Sequence, residues 1–190
     1  MRVKYFLRML LVWLRARRAP RLGLDEVCRT PLRVNLGDLD IYRHVNNGTY
    51  LTMADLGRFD WMLRTGTWKA FGRRGWYPVV TASTTTYRKS LHLGERVILE
   101  TRLMGSDEKA IYIEHRFTVD GQVRARTLLR GRFVGRDGTL PVQRVVDAIP
   151  ELGAVPQRVP EWAERWADDT KLPPSRADAP SVWDDDRPHL

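Results

Sequence analysis

The residues best suited to chemistry lie close together. The run GDLDIYRHVNNGTYL, from Gly37 to Leu51, holds two carboxylates (Asp38 and Asp40), an imidazole (His44) and two amides (Asn46 and Asn47). That set suits acyl transfer: a carboxylate attacks a carbonyl carbon or activates water, while amide donors hold the oxygen that becomes negative. Each member also has a duller role. Asp40 can close a turn or pair with Arg43, Asp38 reads as structural, and His44 divides between facing substrate and packing in the loop. Asn46 and Asn47 are helix caps first and site residues second. The other histidines do not converge: His115 alternates with Ile113 and Phe117 and reads as a core-face histidine with a hydrogen-bond partner, while His92 and His189 read as exposed. The four share no ligand spacing, and the one thiol, Cys28, rules out an intramolecular disulfide or a cysteine-based metal site. No metal and no cofactor is expected.

These residues must be positioned by the elements around them. Cys28–Leu36 reads as a first strand, with Pro31 suited to a strand start or edge. A helix from about Gly48 to Arg64 follows, capped by Asn46 and Asn47 and stopped by Gly66. Its apolar residues cover most of its circumference, so it should be buried, and Gly57 in its middle points to a close approach to a sheet. After a connection over Gly66–Tyr77 come four β-like stretches, Pro78–Tyr87, Glu95–Gly105, Ala110–Val119 and Gln122–Val134, which should form an antiparallel sheet. At the Asp120-Gly121 turn, a plain two-residue loop would put Arg124 and Arg126 on the face of Phe117 and Ile113. A three-residue loop with a left-handed Gly121, pairing Thr118 with Gln122 and Glu114 with Arg126, keeps the apolar rows together and is the expected register. Short helices are expected near Val142–Ile149 and Glu161–Asp168, ahead of an acidic, loosely held end. The fold class is α+β, an antiparallel sheet wrapped around one long central helix. The chain divides into a basic amphipathic arm at 1–22, a main domain at 23–150 and a C-terminal extension at 151–190.

Composition narrows the function classes. The 190 residues are 43% hydrophobic and 29% charged, enough for one domain with a sizeable core. Residues 1–22 hold seven Arg/Lys and no acid, whereas Glu161–Leu190 holds eight acids against four bases, so the net charge of +9 is unevenly placed. No groove-reading basic element emerges, and nucleic acid is not an expected partner. The arm VKYFLRMLLVWLRARR is too short and too interrupted by Arg8 to span a bilayer and lacks a cleavage signature, so it should pack on the body or a second copy, or lie on a membrane surface. A reducing, cytoplasmic setting fits the cysteine usage, with peripheral membrane contact through residues 1–22.

The run D-x-D-x-x-x-H-V-N-N-x-x-Y-L, here Asp38, Asp40, His44, Val45, Asn46, Asn47, Tyr50 and Leu51, resembles the signature of hotdog-fold acyl-thioesterases of the 4-hydroxybenzoyl-CoA thioesterase type, and most of all the thioesterase-superfamily-member-six-like subgroup. The likeness extends through Arg58, Gly75-Trp76-Tyr77-Pro78-Val79-Val80 and Gly131-Arg132-Phe133, over roughly residues 28–135. It implies a hotdog fold working as a dimer or dimer of dimers, with sites at the subunit interface, and hydrolysis of an acyl-CoA or acyl-ACP thioester to acid and thiol. In that reading Asp40 is general base or nucleophile, His44 orients water or substrate, and Asn47 completes the catalytic set. Asn46, Tyr50, Arg88 and Lys89 would contact substrate, the last two through coenzyme A phosphates. Trp61, Trp68 and Trp76 would narrow an acyl channel. Tyr42 stands where the acyl-ACP enzymes carry an Asn, and no G-x-S-x-G is present. The alternative is a non-catalytic acyl- or lipid-binding member associated with a membrane surface.

Overall fold

The computed structural model of the chain describes residues 2–149, 159–174 and 176–181. The chain forms two compact units, Met1–Val159 and Pro160–Leu190. In the first, the order is α1 (Arg2–Ala16), β1 (Cys28–Arg33), a 3-10 turn at Leu36–Asp38, α2 (Asn47–Thr65), α3 (Thr67–Arg74), β2 (Tyr77–Tyr87), β3 (Arg96–Ser106), β4 (Ile111–Val119), β5 (Gln122–Gly135), β6 (Gly138–Leu140) and α4 (Val142–Ala148). In the second, α5 spans Glu161–Asp169. The acidic end, with His189, falls largely outside the described residues.

Helix α2 starts and stops where its caps dictate. The Asn46 side chain accepts the Gly48 N–H at 2.9 Å, and Gly66 closes the helix at φ 80°. Its length is set against an antiparallel sheet of order β1-β3-β4-β5-β2, with β6 added to β5. Gly57 is the point of closest approach: a Cβ there would lie 2.5 Å from Thr101 Oγ1 and 2.6 Å from Leu99 Cδ2. Only hydrogen fits between helix and sheet at that level. Two apolar clusters occupy the two ends of the helix. Met53 and Ala54 pack with Leu91, Leu99 and Phe117, and Trp61 packs with Phe71, Leu103, Ile113 and Phe133. Full burial of each large side chain stabilises the fold by about 1.5–3 kcal/mol.

The register of the β4–β5 hairpin differs from the expected one. Asp120 (φ 49°) and Gly121 (φ 74°) form a two-residue turn with both central residues left-handed, and Val119 pairs with Gln122. The extra residue sits further along, at Arg124, because Thr118 pairs with Val123 and Phe117 with Ala125. The bulge restores the apolar rows that a turn bulge would have kept, setting Ile113 opposite Leu129 and His115 opposite Thr127. Glu114 therefore faces Leu128, not Arg126, and it pairs instead with Arg116 at 2.7 Å and Arg102 at 3.7 Å.

Two short elements were not anticipated. Helix α3 fills part of the expected connection, since Gly66 serves both as the cap of α2 and as the start of α3, and Phe71 anchors its apolar side. Strand β6 returns on β5 through Arg136-Asp137. The N-terminal helix α1 packs on α2, with Val12 and Ala16 buried and Met9 and Trp13 against Leu56 and Phe59. Arg8 fixes it: its guanidinium donates to both carboxylate oxygens of Asp38 (3.0 and 2.7 Å) and to the Arg33 carbonyl at 2.8 Å.

Candidate active site

The loop between β1 and α2 is closed by backbone pairing. Leu39 bridges Val45, the Asp40 N–H donates to the His44 carbonyl at 2.8 Å, and the Asn46 N–H donates to the Asp38 carbonyl at 2.9 Å. Arg43 takes φ 63° to make the return. Asp40 stands at the tip of this loop, half-buried. Its Oδ1 accepts the N–H groups of Tyr42 (2.9 Å) and His44 (3.3 Å), while among the described residues Oδ2 has no hydrogen-bond partner. One oxygen therefore fixes the carboxylate's orientation and the other is available to a substrate or water. Asp38 is structural, as expected: it is 1% exposed, binds Arg8 and accepts the Asn35 N–H at 2.8 Å.

Of the predicted residues His44 bonds Asp40 directly, and others lie on the elements that adjoin this loop. His44 is half-buried, bridges His92 through the backbone and stacks edge-on against its ring at 5.0 Å. Asn46 is engaged as the cap, and Asn47 is exposed at the first turn of α2, where unpaired N–H groups and the helix dipole favour negative charge. The Tyr87 hydroxyl donates to the Asn47 carbonyl at 3.4 Å, which places the end of β2 against this loop. Arg88 and Lys89 follow immediately, both exposed, their N–H groups donating to the Arg124 carbonyl at 2.8 and 3.0 Å. Glu95 accepts the His92 N–H at 2.8 Å and lies 3.5 Å from the Arg124 guanidinium. Tyr50 differs: it is 2% exposed, packed edge-on between Tyr87 and Phe117, and burial pushes its hydroxyl pKa up. His92, Tyr87 and Glu95 were not singled out from sequence, because only the fold returns β2 and the turn after it to the loop.

An apolar cavity lies elsewhere in the chain. It encloses about 360 Å³ beside the middle and end of α2, lined by Asp55, Arg58 and Trp61, by Tyr77–Val80 of β2, and by Tyr5 and Met9 of α1. Asp40, His44 and Asn47 do not line it. Trp61 and Trp68 do, as the sequence suggested, but Trp76 instead packs on Gly135. The cavity's one charged pair is Asp55–Arg58, a single helical turn apart. Burial holds the Arg58 guanidinium down to about 10, against a weaker opposing effect of Tyr5. Arg58 Nη1 also lies 3.4 Å from His115 Nε2, and His115 Nδ1 lies 3.0 Å from Thr101 Oγ1. A guanidinium can only donate, so Nε2 accepts and the ring is neutral. Burial first, then Arg58, keeps its pKa well below the usual histidine value.

No group of three or more metal-ligating side chains occurs among the described residues. The thioesterase-like superfamily profile matches residues 34–167. Protein THEM6 of Xenopus laevis is 35% identical over 164 residues, covering 84% of this chain and 79% of that relative. The fold is similar to that of a probable thioesterase, YbaW, from Escherichia coli, at 21% identity and TM-score 0.61 over 65% of this chain and 97% of that one. It is also similar to the gentisyl-coenzyme A thioesterase BH1999, at 19% identity and TM-score 0.56 over 64% and 99% of the two chains. The sheet wrapped around α2 is thus a hotdog fold of the α+β class, and the chain belongs to the thioesterase-like superfamily.

Proposed function

We propose that the protein hydrolyses an acyl-CoA thioester, with Asp40 as general base toward water or as nucleophile on the thioester carbonyl. The observation that supports this most is the state of Asp40: one oxygen is held by two backbone N–H groups and the other has no hydrogen-bond partner among the described residues, in a loop that ends on a helix N-terminus. A thioester has less resonance stabilisation than an ester, so one oriented carboxylate with nearby N–H donors for the oxyanion is a sufficient constellation. Arg88 and Lys89, exposed immediately after Tyr87, whose hydroxyl bonds the Asn47 carbonyl, supply cations for the coenzyme A phosphates.

The acyl group needs an apolar compartment, and in one chain the cavity and Asp40 lie toward opposite ends of β2. That strand is the sheet edge, and Tyr77, Val79, Val80 and Tyr87 are exposed along it. Antiparallel pairing of β2 with β2 of a second copy would set the cavity end of one subunit beside the Asp40 end of the other. The working unit in this reading is a homodimer with composite sites.

Steady-state hydrolysis of an acyl-CoA panel tests the proposal. The Asp40→Asn variant should lose about 10²- to 10⁴-fold in kcat with its fold intact. Full activity in that variant would reject the mechanism. The second reading, acyl binding without turnover, is favoured by the separation of cavity and carboxylate in a single chain. It would be established by acyl-CoA binding with no hydrolysis by the unaltered dimer.

A further inference from the structure

Helix α1 has two apolar faces, and the fold uses only one. Tyr5, Met9, Val12 and Ala16 turn toward α2, where they pack on the body or wall the cavity. On the opposite side Phe6 (73% exposed), Leu7, Leu10, Leu11 and Leu14 are all exposed. At 100° per residue these five cover about 140° of the circumference, a stripe wider than a coiled-coil seam requires. The C-terminal end of the helix is basic. Arg17 and Arg18 are exposed at its C-terminal end, and Arg21, three residues on, shares a hollow with Lys69, Arg73 and Arg74.

We propose that this outer face of α1 docks on an anionic lipid surface. The apolar stripe would enter the boundary between headgroups and acyl chains, with the arginines and Lys69 at the level of the phosphates. Charge decides for lipid over a second copy of this chain: residues 1–22 hold seven Arg/Lys and no acid, so a second arm offers these cations no counter-charge in either orientation, whereas a phosphate surface neutralises them. Fifteen residues span about 22 Å, less than a bilayer's hydrocarbon thickness, and no helix among the described residues is long and apolar enough to cross a membrane. The helix therefore lies along the surface. Trp68, half-exposed and edge-on against Phe59 beneath α1, has the amphipathic character of a side chain at such a boundary. Because Tyr5 and Met9 wall the cavity from the other side of the same helix, the docked face and the apolar cavity would be separated by one helix thickness.

The proposal does not depend on hydrolysis and is tested without it. The full chain is co-sedimented with vesicles of phosphatidylcholine alone or mixed with phosphatidylglycerol. Retention on the anionic vesicles is expected, weakening with salt and falling about fivefold for each charge removed in Arg17→Gln and Arg18→Gln. The double variant Leu7→Glu/Leu11→Glu should abolish retention while leaving the far-ultraviolet dichroism and unfolding midpoint unchanged, since both side chains are already exposed. Equal retention on both vesicle types, with no effect of either pair of substitutions, would overturn it. So would a concentration-dependent oligomer that is lost in the glutamate variant and never binds vesicles, because a second copy would then be the occupant.

Discussion

Asp40 and His115 show opposite uses of a titratable residue. Asp40 is held by backbone donors at a solvent-reachable loop, whereas His115 is fully buried between Thr101 and Arg58 and stays neutral. The consequence for His115 is a pH-dependent stability. Its folded pKa lies below the unfolded value, so its favourable neutral state is fully populated in both forms above about pH 6.5. As the pH falls below that point the unfolded chain binds a proton that the folded chain refuses, and stability drops by at most about 1.4 kcal/mol per pH unit. Urea midpoints at about pH 7.5 and pH 5 should differ more for the unaltered chain than for His115→Gln. Identical differences would assign the effect to other groups. The opposite sign holds for Cys28: burial first, then the nearby Asp60, raises its thiol to about 12, so stability from keeping it protonated is present below its ordinary value and lost as pH rises from 9 toward 12. In the native protein at neutral pH this thiol should react with a disulfide reagent only as fast as the fold opens. Burst-phase labelling without denaturant would contradict that burial. The alternation of Ile113, His115 and Phe117 made His115 legible as a core residue. The Asp55–Arg58 pair was not singled out, since an i,i+3 ion pair on a helix reads as solvated until the covering helix is placed.

At the scale of elements, the sequence was most informative where local geometry leaves one solution. Asn46 and Gly66 fixed the ends of α2, and Gly57 marked its closest approach to the sheet. A Gly57→Ala variant should unfold at lower urea, with a loss of about 1–3 kcal/mol, despite alanine's advantage of about 1 kcal/mol in an unencumbered helix. An unchanged midpoint would mean that Thr101 and Leu99 can withdraw without cost. The β4–β5 register was harder to read because two bulge positions preserve the same alternation. Parity could exclude the plain loop but could not choose between a bulge at Gly121 and one at Arg124. Helix α3 was hidden by Gly72 and by the two capping glycines that make its segment read as a connection. The attachment of α1 lies beyond any local signal, since Arg8 and Asp38 are thirty residues apart. Asp38→Asn should cost about 3 kcal/mol, because it leaves a largely buried guanidinium without its counter-charge. Thermal unfolding and proteolytic sensitivity around Ala19–Gly23 would report it, and a resistant variant would show that Val12, Met9 and Trp13 hold the helix without the ion pair.

In the proposed hydrolysis a carboxylate and an apolar cavity that do not meet in one chain must serve one reaction. Strand β2 is about 35 Å long at the usual rise of an antiparallel strand, with the Asp40 loop against its Tyr87 end and the cavity against its Tyr77 end. Among the described residues its outer edge is an unpaired ladder of backbone donors and acceptors carrying large apolar side chains, a surface that natural sheets seldom leave uncovered. In the proposed dimer a two-fold axis near the middle of the strand would satisfy that ladder and close the distance between the two half-sites together. Thr84→Lys places a charge on this edge, at an exposed side chain outside the cavity lining, so the single chain should fold as before. Sedimentation velocity should then report a monomer where the unaltered protein sediments as a dimer or larger, and acyl-CoA hydrolysis should fall with it although Asp40 is untouched. A fully active monomer would break the composite-site argument and place the acyl group in a compartment on the loop side of its own chain. A dimer that persists with full activity would move the interface away from β2.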